Sequence, residues 1–394
     1  MTQPTADVKI LTDTLKTALG LVSRAIGKSS LPILSTIHIS GSQATQEISL
    51  SATDLETAVS MRVPASVAKD WATCAPGETL TSLAAAAGGE FTEFTFEPES
   101  VTLRLKSQSM KSKLKCLEAG EFPIVAADDT QVMTGIPANI LRSALKRVVI
   151  AASADESRPV LCSVQLALID EKVCLAAADG FRLATCRLDE EVVFPAKTSL
   201  IIPRASVLKL AAILPDDETP VQVAVTQDDR ALIVSWGKAT FRAQLLDGTY
   251  PDWGAIFPQE WQHELTLEAN AFQSAVRRAE IFARETPSRI LRITPDAGSG
   301  GTLIYSEAET GRGDTLLAEA AMPIPMAFNS IFVRQGLEAI QGTPVHMRLN
   351  ASNAPMLLSN GTDKFRYLLM PLHTADEVNQ AAAVARASED AAEV

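Results

Sequence analysis

The chain has 394 residues, 46% of them hydrophobic and 21% charged, a globular composition that excludes a disordered or collagen-like chain. Lys and Arg number 35 against 47 Asp and Glu, so the net charge is −12, which excludes a uniformly basic nucleic-acid binder but not a local basic surface. Aromatic residues make up 5%, too few for a chain of base-stacking platforms, and no apolar run approaches the ~20 residues of a membrane span.

Residues 1–8 lack the basic start and apolar stretch of a secretory signal. Leu11–Arg24 reads as a first amphipathic helix. Gly27-Lys28-Ser29 resembles the end of a phosphate loop, but the glycine required five residues before Gly27 is Val22. The preceding segment also reads as helix where such a loop needs a strand, so the loop is rejected. A second helical stretch, of zero net charge, is expected over 64–71. In Asn139–Ile150 the apolar Ile140, Leu141, Ala144, Leu145 and Val148 form one stripe, with Arg142, Lys146 and Arg147 on the other face.

Alternation marks Val173–Ala177 as a strand. A helix follows over Ser206–Leu214, stopped by Pro215, then a hairpin of Ala231–Ser235 and Thr240–Leu246 turned through Gly237. Asn270–Arg284 repeats the amphipathic helix, with Phe272, Ala275, Val276 and Ala279 opposite Arg277 and Arg278. Gly298–Gly301 and Gly311–Gly313 lack the third glycine of a dinucleotide loop and read as turns. The last helix is expected over Asn329–Ile340, stopped by Gly342-Thr-Pro344. Residues 374–394, with eight Ala, five acids and Arg386, read as a solvated tail.

These elements repeat. Thr219-Pro220-Val221 recurs as Thr343-Pro344-Val345, 124 residues later. The same offset, taken without gaps, aligns Ser206 with Ser330, Gly237 with Gly361 and Phe241-Arg242 with Phe365-Arg366. Leu50–Asp54 matches Leu175–Asp179 at an offset of 125, and Phe122-Pro123 matches Tyr250-Pro251 at 128. The copies run over 1–127, 128–256 and 257–373, a period too long for a solenoid and right for a triplicated domain. Two helices plus hairpin strands per copy indicate an α+β fold. Recurrence of Asp54 and Asp179 at one place in the repeat favours a turn role over a catalytic one.

Six helical stretches (11–24, 64–71, 139–150, 203–214, 270–284 and 328–341) carry +8, leaving −20 for the rest. Such a basic layer suits sequence-independent phosphate neutralisation, although Arg and Lys also suit any solvated helix face. On this reading Arg142, Lys146, Arg147, Arg204, Lys209, Arg277 and Arg278 face DNA, with Lys28 nearby. The five Cys (74, 116, 162, 174, 186) are odd in number and none sits at a two-residue gap, which reads as free thiols in a reducing cytosol. The four His (38, 263, 346, 373) show no metal-ligand spacing, and nothing marks a catalytic set.

Leu31-Pro-Ile-Leu34, Ala52–Glu56, Glu121-Phe-Pro123, Ala178–Ala184, Ile201–Arg204, Leu245–Asp252 and Leu368–Pro371, in this order, resemble the bacterial DNA polymerase III beta subunits, the replicative sliding clamps. The resemblance runs from about residue 8 to residue 373. It implies a clamp fold of three domains, each with two helices inside and antiparallel sheets outside. It also implies a head-to-tail homodimeric ring around duplex DNA, cytoplasmic, with no enzymatic activity, no cofactor and no metal.

The implied partners are duplex DNA in any sequence, the DNA polymerase III alpha subunit, the clamp loader, other proteins with a clamp-binding motif, and a second copy of the chain. The motif would dock in an apolar groove between the second and third domains. Matching positions are Leu161; Ala178, Gly180, Phe181, Arg182 and Leu183; Pro251 and Ile256; Asn329 and Phe332; and Leu369, Met370, Pro371 and Leu372. Ring closure is expected to join two edges. One carries Arg104, Lys106, Lys111, Lys113 and Lys115 with no acid between them; the other carries Glu307, Glu309, Asp314 and Glu319 against Arg312. Ile281 and Phe282 match the apolar contact of that interface.

The chain departs from the family pattern at Lys28, Ser288, His373 and the tail. Three other readings stand beside this one: an enzyme using a cleft between repeats, a triplicated scaffold that never meets DNA, and a drug-insensitive paralogue of the housekeeping clamp.

Overall fold

The structure, a computed structural model, describes residues 7–28, 30–123, 130–169, 172–189, 199–318, 320–340 and 344–372. The tail at 374–394, His373, Glu319 and the expected boundary at 127/128 lie outside the described residues. The fold is α+β, three repeated domains with antiparallel sheets and, among the described residues, six α-helices: α1 (Thr12–Val22), α2 (Gly77–Ala86), α3 (Ala138–Val148), α4 (Arg204–Ile213), α5 (Ala269–Ala283) and α6 (Ser330–Ala339).

Local chemistry sets the helices. In α1, Leu15, Leu19 and Val22 are fully buried at helical spacing. The helix then tightens into a 3-10 turn, Ser23–Ala25. Glu268 caps α5, its carboxylate accepting from the N–H of Asn270 at 2.9 Å and of Ala271 at 2.6 Å. Asn329 caps α6 by accepting from the Ile331 N–H at 3.0 Å. Such caps each contribute about 1 kcal/mol.

Three expectations are corrected. Residues 64–71 form no helix: Ser66–Val67 is a short strand, and Ala65, Val67 and Trp71 are buried between exposed neighbours. The second helix of the first copy is α2, which buries Gly77, Leu80 and Ala84 at spacings of three and four. Strand Lys172–Ala178 does not alternate, since Val173 through Ala177 are all buried. Both faces of that strand are covered, which removes the period of two. The gapless 124-residue offset also fails at the helices. The cap N–H of Leu214 bonds to Leu210 O and that of Ile340 to Gly336 O, an offset of 126. A two-residue difference in the following loop restores 124 at the next strand.

The chain divides into two compact units, Met1–Ser143 with Glu190–Gly248, and Ala144–Asp189 with Thr249–Val394. In the first unit one antiparallel sheet runs in the order Thr130–Pro137, Pro220–Thr226, Ala231–Trp236, Ala239–Gln244, Thr57–Pro64, Glu47–Thr53, Thr36–Ser42, Trp71–Pro76. Strands of the first two copies thus join in one sheet through the pairing of Ala239–Gln244 with Thr57–Pro64. A second sheet orders Ser66–Val67, Val8–Leu11, Phe91–Glu97, Thr102–Ser107 and Met110–Lys115, the last an open edge.

The second unit repeats the scheme. Ser163–Ile169, Lys172–Ala178 and Arg182–Arg187 continue into Phe365–Leu369, Met356–Ser359, Val345–Leu349 and His263–Leu267. Its other sheet orders Gly311–Leu317, Thr302–Ala308, Ile290–Pro295 and Met326–Asn329, with Gly311–Leu317 as the open edge. The fully buried Phe94 and Phe241 of the first unit, and Phe272, Phe328, Phe365 and Tyr367 of the second, anchor the cores. Each contributes about 1.5–3 kcal/mol through burial.

Candidate functional site

The residues expected to line the groove are all in the second unit, and Phe181, Arg182 and Met370 meet at one tight turn. Between strands Lys172–Ala178 and Arg182–Arg187, Asp179 Oδ1 accepts from the N–H of Phe181 at 2.9 Å and of Arg182 at 3.0 Å. Gly180 sits at φ +92°, which glycine adopts without strain. The turn pushes Phe181 outward, 59% exposed. Met370 lies beside it, 40% exposed, its N–H donating to Phe181 O at 2.8 Å. Leu372 N–H then donates to Ala327 O at 2.7 Å, fixing Pro371 in a buried position.

Arg182 holds the floor. Its Nε donates to Asp179 Oδ2 at 2.9 Å, and its guanidinium stacks over Phe332 at 4.1 Å. Its Nη1 also bonds to Gln335 Oε1, and to Tyr367 Oη at 3.3 Å. Tyr367 O–H donates in turn to Phe332 O at 3.1 Å, and burial pushes its pKa up to about 12. Tyr250 Oη accepts from the Ala178 N–H at 3.1 Å, with burial pushing its pKa up to about 12 as well.

Pro251 and Ile256 are exposed, and Leu161 and Phe332 are half-buried. Leu183 and Leu369, by contrast, are 2% and 1% exposed, so they belong to the sheet core rather than an open wall. Asn329 is the cap of α6. Sequence reading did not find Gln335, Tyr367 or Tyr250. Gln335 lies one helical turn after Phe332 and was open to discovery by that spacing.

The first unit has the same turn with different chemistry. Asp54 Oδ1 accepts from the Thr57 N–H at 2.7 Å, and Leu55 takes φ +79°. Gln244 N–H donates to Glu56 O at 2.8 Å, the bond that Met370 makes to Phe181. The contact corresponding to Arg182 on Phe332 is a hydroxyl pair, Thr57 to Ser206, at 3.1 Å. Glu56, Gln244 and Ser206 thus stand where the second unit has Phe181, Met370 and Phe332. Both aspartates hold turns, as their recurrence suggests.

The cationic helices are more neutral than their sequences imply. Over the observed bounds α3 carries three cations, α4 two, α5 two against one acid, α1 and α6 one of each sign, and α2 one acid, a net of +5. Arg142 pairs with Asp216 at 2.8 Å and donates to Ala211 O at 3.2 Å, at the end of α4. Lys209 pairs with Asp54, and Arg277 with Glu338 at 3.7 Å. Arg278 donates to Thr315 Oγ1 at 3.2 Å.

Arg147 is turned inward. It stacks over Phe365 at 4.1 Å and donates to Ala339 O at 2.7 Å, and burial holds its pKa below the usual arginine range. Arg204 Nε is buried without a hydrogen-bond partner. Lys28 and Lys146 are exposed, with no ion pair among the described residues.

Both edges are open strands. On Met110–Lys115 the side chains of Lys111, Lys113 and Lys115 are exposed. The basic edge is not free of acid: strand Phe91–Glu97 brings Glu93 to Lys106 at 3.0 Å and Glu97 to Arg104 and Lys113. On the other edge Arg312 pairs with Asp314 at 2.7 Å, leaving Glu307 and Glu309 exposed. Phe282 packs on Gly313, where an added Cβ would lie 2.7 Å from its ring. Ile281 is 60% exposed, and Leu316, which the sequence did not single out, is 46% exposed.

Among the described residues no group of three or more His, Cys, Asp or Glu is placed to hold a metal ion. No helix among them is long and apolar enough to cross a membrane.

Three family models match the chain: the N-terminal domain of the DNA polymerase III beta subunit over 7–126, its central domain over 135–252 and its C-terminal domain over 254–373. A beta sliding clamp of Synechococcus elongatus is 25% identical over 364 residues, covering 91% of this chain and 96% of that protein. One of Staphylococcus aureus is 23% identical over 362 residues, covering 88% and 93%. The Bacillus subtilis DNA polymerase sliding clamp shares the fold at TM-score 0.85 and 20% identity, covering 93% of this chain and 99% of that one. The Thermotoga maritima beta subunit shares it at TM-score 0.84 and 22% identity, covering 93% and 99%. With its three domain types matched in order, the chain belongs to the family of DNA polymerase III beta subunits, the sliding clamps, which are non-enzymatic processivity factors of replication.

Proposed function

We propose that two copies of this chain join head to tail into a cytoplasmic ring of six domains around duplex DNA. The domains of each copy are 1–127, 128–256 and 257–373. The observation that supports the ring best is the pair of unlike open edges. Met110–Lys115 presents lysines, while Gly311–Leu317, which carries the exposed Leu316, lies beside Glu307, Glu309 and Ile281. Unlike edges pair heterologously, which closes a ring when the rotation allows, and pairing removes open strand groups that otherwise invite aggregation.

The helices then face the duplex. Lys28 and Lys146 contribute the free charge, and Arg142, Lys209 and Arg277, each paired with an acid, support it together with Arg204 and Arg278. Backbone contacts carry no sequence information, so the ring slides. The groove around Phe181 and Met370 takes a short segment of the DNA polymerase III alpha subunit, the clamp loader or other motif-bearing proteins. Tethering to an encircling ring keeps a polymerase at high effective concentration with no bond made or broken. Gel filtration at about twice the chain mass, with retention on loaded circular DNA and loss on linearisation, is the expected result. A monomer, or equal retention on both DNA forms, overturns the proposal.

A further inference from the structure

In the second unit, α6 serves the groove and α5 serves the edge, and a buried ion pair joins them. Glu280 of α5 is 2% exposed. Arg334 Nε lies 3.0 Å from its Oε2, and Arg284 approaches the same oxygen at 3.7 Å. Arg334 also pairs with Glu338 at 3.1 Å, and Glu338 with Arg277 at 3.7 Å. Two residues from Arg334 on α6 is Phe332, under Arg182. Adjacent to Glu280 on α5 are Ile281 and Phe282, the latter packed on Gly313 of the edge strand.

The pair is close but incomplete. Glu280 Oε2 and Arg334 Nε are both buried, and neither makes a hydrogen bond, because the N–H does not point at the oxygen. A buried polar group left unmade is costly, so a small shift of α6 that aligns them is downhill. On the α5 side Gln273 Nε2 donates to Leu337 O at 3.1 Å, a bond near the C-terminal end of α6, and the N-terminal half of α6 is held in its present register from the other side. Arg182 is bonded to Gln335 and stacked on Phe332, and Tyr367 O–H is bonded to Phe332 O. An occupant that packs on Phe332 and engages Arg182 competes with those ties.

We infer that Glu280 is a positioning residue through which a filled groove tightens the edge: occupancy frees α6, Arg334 completes its bond to Glu280, and α5 presents Ile281 and Phe282 more firmly. This rests on the groove and edge assignments proposed above. Linkage is reciprocal, so the dimer binds the groove peptide more tightly than the monomer by the same factor.

The test uses the full chain and a synthetic peptide from a polymerase tail. In the wild type, saturating peptide should lower the dimer Kd about five-fold by sedimentation, the low end of usual coupling. In the double variant Glu280→Met with Arg334→Met, which removes both charges at similar volume, that shift should fall below about two-fold while dimer and peptide binding persist. Glu280→Gln retains a neutral acceptor and should keep an intermediate shift. Hydrogen exchange over 275–284 in the wild type, which needs no variant to fold, should slow on adding peptide. An undiminished shift in the double variant, no shift in the wild type, or faster exchange overturns the inference alone. A wild type that neither dimerises nor binds the peptide overturns the groove and edge assignments, and this inference with them.

Discussion

Arg142 and Arg147 are five residues apart on α3, and each ends at the carbonyl of a helix terminus, Ala211 of α4 and Ala339 of α6. Cations are favourable there because a helix C-terminus carries partial negative charge. Lys146 between them is exposed and has no such tie. Lys146 and Arg147 therefore separate by experiment. Lys146→Glu should weaken duplex binding with little change in thermal midpoint. Arg147→Glu should lower stability by about 3 kcal/mol or more, because it places an acid against Phe365 and the Ala339 carbonyl. Equal melting of the two variants in calorimetry would show that Arg147 is not a strut.

Edge helix α5 presents two adjacent apolar side chains with different local support. Phe282 rests on Gly313, while Ile281 has 60% of its surface free. Burial of each against a partner contributes about 1.5–3 kcal/mol, whereas exposed ion pairs contribute about 0–1 kcal/mol. Ile281→Ala with Phe282→Ala should therefore yield a monomer by sedimentation at micromolar concentration. Reversing Lys111 and Lys113 should only loosen the dimer, and more so at low salt, where screening is weak. Survival of the dimer in the double alanine variant would place the interface elsewhere.

Across the whole molecule, one turn is used twice with opposite chemistry. The backbone bond from Gln244 to Glu56 and that from Met370 to Phe181 are both 2.8 Å long, yet one site is polar and the other apolar. Adjacent exposed apolar side chains suit a binding surface, and a flexible Met suits varied ligands. A polymerase-tail peptide should bind at one site per chain with roughly micromolar affinity, as expected of a segment that orders on binding. Phe181→Ala with Met370→Ala should abolish that binding in a titration. Glu56→Ala with Gln244→Ala should leave it unchanged, as should truncation at Thr374. Two sites per chain, or loss through the first-unit pair, would contradict the assignment.

Periodicity and repetition were legible along the chain. The stripes of α1, α3 and α5, the turn at Gly237 and the threefold repeat all arise from neighbours within a few residues or from copied segments. The motif order carried the family, and with it the turn at Asp179–Leu183 where the groove is proposed. Other features were decided in space. Strand Lys172–Ala178 lost its alternation because both its faces are covered, and 64–71 holds the short strand Ser66–Val67 instead of a helix, with Val63, Ala65 and Val67 buried at every second position. The acids that neutralise the basic edge come from strand Phe91–Glu97, outside the segment that was read. Whether a cation faces solvent, caps a helix as Arg147 does, or joins two helices as Arg334 does depends on residues up to 192 positions away. Charge counted along a sequence is additive, but the field a helix presents depends on which partners folding brings within a few ångströms, and only tertiary structure selects those partners.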